Sequence, residues 1–344
     1  MVIFSGFIIG TILGYMLKRS RICFMGTIRD VYLEKRSYNL ALVALTIFSE
    51  AIVYNLSVIA GLVPDGFISC FSPVAVSIGS LMFGFGAVMA GGCLTMTLVK
   101  MGDGRLTGLI SFTTFVIVGY FFSAGGGRFL AGKLRHTYEL FDSALIADSR
   151  IRLILSAVAA LLAYTTIWQH NKKRKSRNNF YYSKVSAEIW FILIGVLFGV
   201  TFPISQHFGR AGGFAITTPI LSYPYTLFRP EQIVGGCNIS DQRFGFGSML
   251  VLGIVFGSFI TSVISREFNF VIPRRKQAVK TIIGSAMMAF GAIVAGGCMV
   301  SNGLVGTSQF YIRSWIGLIF ISMGGWLAAY IFFIEKNKTR QYRK

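Results

Sequence analysis

The sequence predicts an all-α polytopic membrane protein of about nine transmembrane helices plus short re-entrant helices, built as two inverted repeats. Three observations carry that expectation: the composition, the spacing of long apolar runs, and a duplicated segment ending in the same cysteine. Of 344 residues, 54% are hydrophobic and only 13% charged, whereas a soluble domain carries roughly a quarter charged residues. The mean hydropathy is +0.65. These values exclude an ordinary water-soluble domain, a disordered chain and a fibrous repeat. The net charge of +20, from Lys+Arg 33 against Asp+Glu 13, would suggest nucleic acid in a soluble protein. Here the basic residues fall mainly between apolar runs, so they speak for topology and no nucleic acid is expected.

Crossing about 30 Å of hydrocarbon takes roughly 17–25 residues of helix. Nine runs qualify in order: 2–17, 41–63, 73–93, 107–124, 152–168, 187–203, 247–264, 277–298 and 314–334. The first is short, and the third and eighth are interrupted by glycine pairs. Met1 to Gly10 lacks the basic n-region of a cleaved signal peptide. Connections after odd-numbered spans hold most of the Lys and Arg, including Lys18, Arg19, Lys35, Arg36, the run at 172–177, and Arg274 to Lys276. By the positive-inside rule the N-terminus is outside and the C-terminus cytoplasmic.

Residues 78–93 read IGSLMFGFGAVMAGGC and residues 283–298 read IGSAMMAFGAIVAGGC, at an offset of 205. The following spans correspond as well, and Gly10 and Gly14 of the first span match Gly195 and Gly199 of the sixth. Four spans, one linking span and four more spans turn the second unit upside down. The expected divisions are a first repeat at 1–130, a linking span and basic loop at 131–186, a second repeat at 187–334 and a basic tail at 335–344. Inverted repeats are typical of transporters, with the substrate site near the midplane where helices break.

Three of the five cysteines follow a glycine pair: Gly91-Gly92-Cys93, Gly235-Gly236-Cys237 and Gly296-Gly297-Cys298. Adjacent glycines weaken a helix, and irregular backbone at membrane depth is tolerated only inside protein or along a polar cavity. A single such motif reads as close helix packing around a small hydrophobe. Three in one chain point to a pathway lined by thiols. No zinc-type Cys or His spacing occurs, and the cysteines fall in different spans, against a disulfide framework. Cys70 lacks the motif. No cofactor or metal is expected.

The connection at 204–246 is long, rich in glycine and aromatics, and poor in charge. A structureless loop of that length is improbable, so it is expected to re-enter the membrane and carry Cys237 inward. The stretch SRICFMGTIRD at 20–30 is expected to do the same for Cys23. Arg21, Arg29, Arg210 and Arg243 would supply positive potential for an anion, or snorkel to the interface. Glu50 sits inside the second span, where an ionisable group is a functional candidate or the partner of a buried arginine.

The R-I-C-F-x-G-x-x-R-D stretch at 21–30, the two A-G-G-C repeats and the G-G-C at 235–237 resemble the YeeE/YedE family of bacterial inner-membrane proteins, over essentially the whole chain. The resemblance implies a pseudo-two-fold, hourglass-like helical fold with short central helices. It implies import of thiosulfate, handed along cysteines by S–H···S hydrogen bonds, a role falling here on Cys93, Cys237 and Cys298 with Cys23 as accessory. Another branch of the family is associated with selenium, and the run RICFMGTIRD is similar to that branch too. A soluble sulfur-carrier protein is an implied partner, beside the lipid bilayer and the small sulfur or selenium anion.

The chemistry is coherent. Thiosulfate is a small dianion with a soft terminal sulfur, and neutral thiols can contact it without holding it too tightly to release, as conduction requires. The competing function is a membrane thiol enzyme, a persulfide relay or disulfide oxidoreductase. That would need a low-pKa thiolate and a resolving cysteine, and no C-x-x-C is present. A third is an anion channel without sulfur selectivity.

Overall fold

The computed structural model describes residues 2–34, 37–64, 69–135, 140–142, 144–146, 148–175, 187–207, 213–228 and 245–335. In order the helices are α1 (Val2–Ser20), α2 (Phe24–Glu34), α3 (Ser37–Ile59), α4 (Pro73–Ala90), α5 (Leu94–Gly102), α6 (Leu106–Ser123) and α7 (Arg128–Arg135). They continue with α8 (Ser149–Lys175), α9 (Ala187–His207), α10 (Thr217–Phe228), α11 (Phe246–Ile264) and α12 (Arg275–Ala295). A π-helical turn at Ser301–Val305 runs into the single turn α13 (Gly306–Ser308), and α14 (Ile312–Ala329) ends in a second π-helical stretch, Tyr330–Glu335. Strands β1 (Ser69–Phe71) and β2 (Leu140–Asp142) form one antiparallel pair, with Cys70 opposite Phe141.

Among the described residues, eight helical stretches are long and apolar enough to cross a membrane. They correspond to the second to ninth of the expected spans. The first expected span is α1, a helix of 19 residues that is not among the eight. The short helices α2 and α10 fall in the two stretches expected to re-enter, whereas the sequence did not anticipate α5 or α7, which are short and interrupted by charge.

Glycines set how closely the helices approach. On α1, Gly6, Gly10 and Gly14 recur every four residues and meet the carbonyls of Phe246, Leu250 and Ile254 on α11, while Gly253 and Gly257 meet Phe7 and Thr11 in return. The two helices therefore run parallel, and any Cβ at these positions would collide with backbone. On α3, Thr46, Ser49, Glu50 and Val53 take Gly195 and Gly199 of α9 in the same way. Such small-residue seams are how helices pack where lipid removes the hydrophobic drive. The central pair is α4 with α12: Gly79 lies on Gly291, and Gly86 on Gly284. That order makes them antiparallel. By contrast α8 is only 22% buried along its apolar window and carries exposed Ile154, Leu161 and Leu162, as an outer, lipid-facing helix should.

On one face, four charges tie three connections together. Lys18 at the end of α1 bonds Asp103, after α5, at 2.8 Å and Glu267, after α11, at 3.1 Å. Arg21 bonds Glu267 at 2.6 Å. At the other face β2 lies over the start of α14, where Asp142 accepts from the Arg313 backbone N–H at 3.3 Å. Burial pushes the Asp142 carboxyl up, against the opposing pull of that N–H and the Arg313 charge.

Candidate functional site: three thiols on helix N-termini

Two helices of the central pair break in the same way. Ser72 caps α4, its Oγ accepting from Ala75 N–H, with Pro73 in the first turn. The helix ends at Gly91, left-handed at φ 82°, where Gly91 N–H reaches Val88 O and Gly92 N–H reaches Ala87 O. At the end of α12, Gly296 has φ 69°, and Gly296 and Gly297 donate to Ile293 O and Ala292 O. This is the αL termination that glycine permits without a Cβ penalty. It satisfies the last carbonyls and turns the chain so that the next residue starts a new helical segment.

That next residue is a cysteine each time. Cys93 is the N-cap of α5, its carbonyl accepting from Thr97 N–H at 3.0 Å. Cys298 accepts from Asn302 N–H at 2.9 Å, and its own N–H bonds Ser301 Oγ at 2.8 Å. Cys23 opens α2 in the same manner, through Thr27 N–H at 2.8 Å, and its sulfur accepts from Gly26 N–H at 3.3 Å. Arg21, with φ 55°, makes the turn between α1 and α2 that swings Cys23 inward. Cys93 and Cys298 are 2% and 1% exposed; Cys23 is half-buried.

The fold brings these thiols together. Cys23 and Cys93 are close enough for their side chains to interact, and Cys298 lies near Cys93. A small pocket at Cys23 is lined by Cys23, Met25, Gly26, Arg29, Gly91 and Gly92 among others. Each thiol stands at the positive end of a short helix, where unsatisfied N–H groups and the helix dipole favour an anion. Hydroxyls fix the short helices: Ser258 donates to Val99 O at 2.9 Å, and the Thr97–Ser111–Ser285 chain links α5 to α6 and α12.

Two cations escaped the sequence reading. Lys100 Nζ donates to Gly91 O at 2.7 Å, and Arg313 Nη2 to Gly296 O at 2.7 Å and Ala295 O at 3.0 Å. Both satisfy carbonyls at the helix end just before a thiol, where the dipole favours a cation. No spacing rule could have flagged them, because they reach the two equivalent helix ends from unrelated positions. The arginines that sequence favoured fare differently. Arg21 is held by Glu267, and Arg29 pairs with Asp30 at 2.7 Å while still lining the pocket. Arg210, Arg243, Gly235, Gly236 and Cys237 lie outside the described residues. Cys70 is in β1, and no cluster that could hold a metal occurs among the described residues.

Comparison with known proteins agrees with this chemistry. The family model described as sulphur transport matches residues 19–327. The thiosulfate transporter TsuA of Escherichia coli (strain K12) is 29% identical over 98% of this chain and 96% of its own length. TsuA of Spirochaeta thermophila is 25% identical over 96% and 99%. The probable transporter YedE of Escherichia coli matches a shorter stretch, 30% identical over 24% of this chain and 20% of its own length. The match to the family model covers nearly all of the glycine-broken helices and the three described thiols, and the chain is a member of the sulphur transport family.

Proposed function

We propose that this protein is a multi-pass inner-membrane transporter that imports thiosulfate or a closely related sulfur or selenium species, passing it along Cys93, Cys237 and Cys298, with Cys23 as the accessory fourth contact. The observation that carries the reading is that Cys23, Cys93 and Cys298 each open a short helical segment. A dianion there meets N–H dipoles for its charge and neutral S–H donors for its soft sulfur. Serial weak contacts let it enter and leave. The near full-length likeness to two proteins named thiosulfate transporter supports the substrate, and a transporter needs no covalent cysteine chemistry.

The inverted-repeat reading, with units at 1–130 and 187–334 joined by 131–186, has its support in the helix contacts. At an offset of 205, Gly79 corresponds to Gly284 and Gly86 to Gly291. The contacts are Gly79 with Gly291 and Gly86 with Gly284, the reciprocal pattern of a two-fold contact. The pairing of α1 with α11 and of α3 with α9 exchanges partners between units in the same sense. The basic bias of the connections places the N-terminus outside and the C-terminus in the cytoplasm, where a soluble sulfur-carrier protein would receive the product.

The test is uptake of radiolabelled thiosulfate by proteoliposomes, with sulfate, chloride and selenite as competitors. Cys93→Ala and Cys298→Ala should each abolish most uptake, and Cys70→Ala should leave it nearly intact, with elution profile as the folding check. Equal flux of sulfate and chloride would mean a non-selective channel. An obligatory cysteine–sulfur adduct in the mass spectrum would favour the thiol enzyme. Normal flux in well-folded alanine variants would overturn the relay.

A further inference from the structure

One buried acid has no part in the thiol line. Glu50 lies midway along α3, fully buried, and neither carboxyl oxygen has a hydrogen-bond donor. No ion pair to it occurs among the described residues, so none of the described arginines is the partner that the sequence allowed.

The surroundings are polar but spent. Ser49 donates to Thr46 O at 2.9 Å, Asn55 to Ala51 O at 2.8 Å, and Thr46 to backbone carbonyls. The hydroxyl against the carboxyl is that of Ser308 in α13, which itself donates to Val305 O at 2.7 Å. Ser308 Oγ is thus left as an acceptor. Among the described residues the site offers a place for a carboxylic O–H and nothing for a bare carboxylate, whose uncompensated burial is strongly unfavourable.

The elements packed on α3 are α2, α8, α9, α13 and the π-helical turn before α13. Described titratable groups on them are Arg29, Asp30 and Tyr32 on α2, Arg150, Arg152, Tyr164 and His170 on α8, and Glu188 and His207 on α9, those of α9 and His170 lying towards helix ends. His170, for example, packs on Tyr38 at the start of α3. The π-helical turn and α13 carry none. Packing does not require an acid either. Gly199 rests on the Glu50 carbonyl as Gly14 rests on that of Ile254, and Ile254 is an equally buried apolar residue.

Ser308 belongs to the short segment that starts at Cys298, and that segment packs against α3. We propose that Glu50 is a proton-binding site coupling proton movement to anion passage. The inference rests on the transport reading and deepens it. A proton taken up on the entry side forms the Glu50 O–H, which bonds Ser308 Oγ and holds the Cys298 segment against α3. Its release on the exit side leaves a carboxylate that must be hydrated, so the segment has to move away. One proton enters and one leaves for each cycle, with no other reactant.

The experiment uses the full chain in proteoliposomes, with the membrane potential clamped by potassium and ionophore and a pH dye inside. Wild type should move protons with thiosulfate, and one proton per anion raises the accumulation ratio about tenfold per unit of imposed pH gradient. Glu50→Gln, which keeps an N–H for Ser308 and cannot release it, should exchange labelled for unlabelled thiosulfate but give no proton signal and no response to the gradient. Infrared difference spectra of wild type should show a carboxylic-acid C=O band that Glu50→Gln removes, a readout independent of flux. Thiosulfate flux without a proton signal, the same coupling in Glu50→Gln, or no such infrared band would overturn the coupling alone. A wild type that carries no thiosulfate under either gradient overturns the transport reading and the coupling with it.

Discussion

Lys100 Nζ donates a 2.7 Å hydrogen bond to the carbonyl of Gly91, the residue that ends α4 two positions before Cys93. Arg313 does the same for Gly296, two positions before Cys298. Neither pair is related by the repeat offset, since Val305 stands where Lys100 would recur and Gly108 where Arg313 would. Two different solutions thus put one cation at each helix break beside a thiol.

If those cations serve the anion as well as the helix ends, Lys100→Met and Arg313→Met should each slow thiosulfate uptake. A loss of about 1–2 kcal/mol, in the range for a partly buried charge at a helix terminus, would be roughly 5–30-fold. Lys100→Arg should retain much of the rate. Unchanged initial rates in proteoliposomes for both methionine variants would leave the cations as helix caps only.

The antiparallel α4–α12 pair points its two breaks at opposite faces. Membrane-impermeant thiol reagents should therefore reach Cys93 and Cys298, in otherwise cysteine-free variants, from opposite sides, slowly because both are buried. Thiosulfate should protect each. Labelling of both from the same side in oriented vesicles would contradict the arrangement.

Packing makes its own prediction. Gly86→Val would drive two methyl groups into the backbone of Gly284 and Met288 on α12, and overpacking of this kind costs about 1–3 kcal/mol or more. The detergent-solubilised variant should melt lower than wild type. Gly132→Ala, at a position in α7 with nothing within 4 Å of an added Cβ, should not.

The charge cluster at the end of α1 should be pH-dependent. The hydrogen bond from Lys18, with further help from Lys18 and Arg21 charge, holds the Glu267 carboxyl below its ordinary 4.5. A depressed carboxyl contributes stability above its unfolded value and loses it as pH falls through the folded one. Glu267→Gln should therefore melt slightly below wild type at pH 7, a small difference for so exposed a group. The gap should close as the buffer is taken below pH 4.5. A gap that persists in acid would assign the effect to packing.

Much of this protein is written locally. Hydropathy located eight of the membrane-crossing helices, because the length of an apolar run is itself the physical requirement for crossing lipid. The Gly-Gly-Cys motifs marked the breaks at Cys93 and Cys298, because a residue without a Cβ atom takes the left-handed turn that ends a helix without steric cost. The stretch after Cys93 was expected as a connection and is α5, since its lysine and glycines shorten the apolar run that a span needs. The meeting of Cys23 with Cys93, the reach of Lys100 and Arg313 to two helix ends, and the isolation of Glu50 beside Ser308 were decided only by the tertiary structure. Each joins residues far apart in the chain, and no local period or propensity encodes which side chains share a space once the helices have packed.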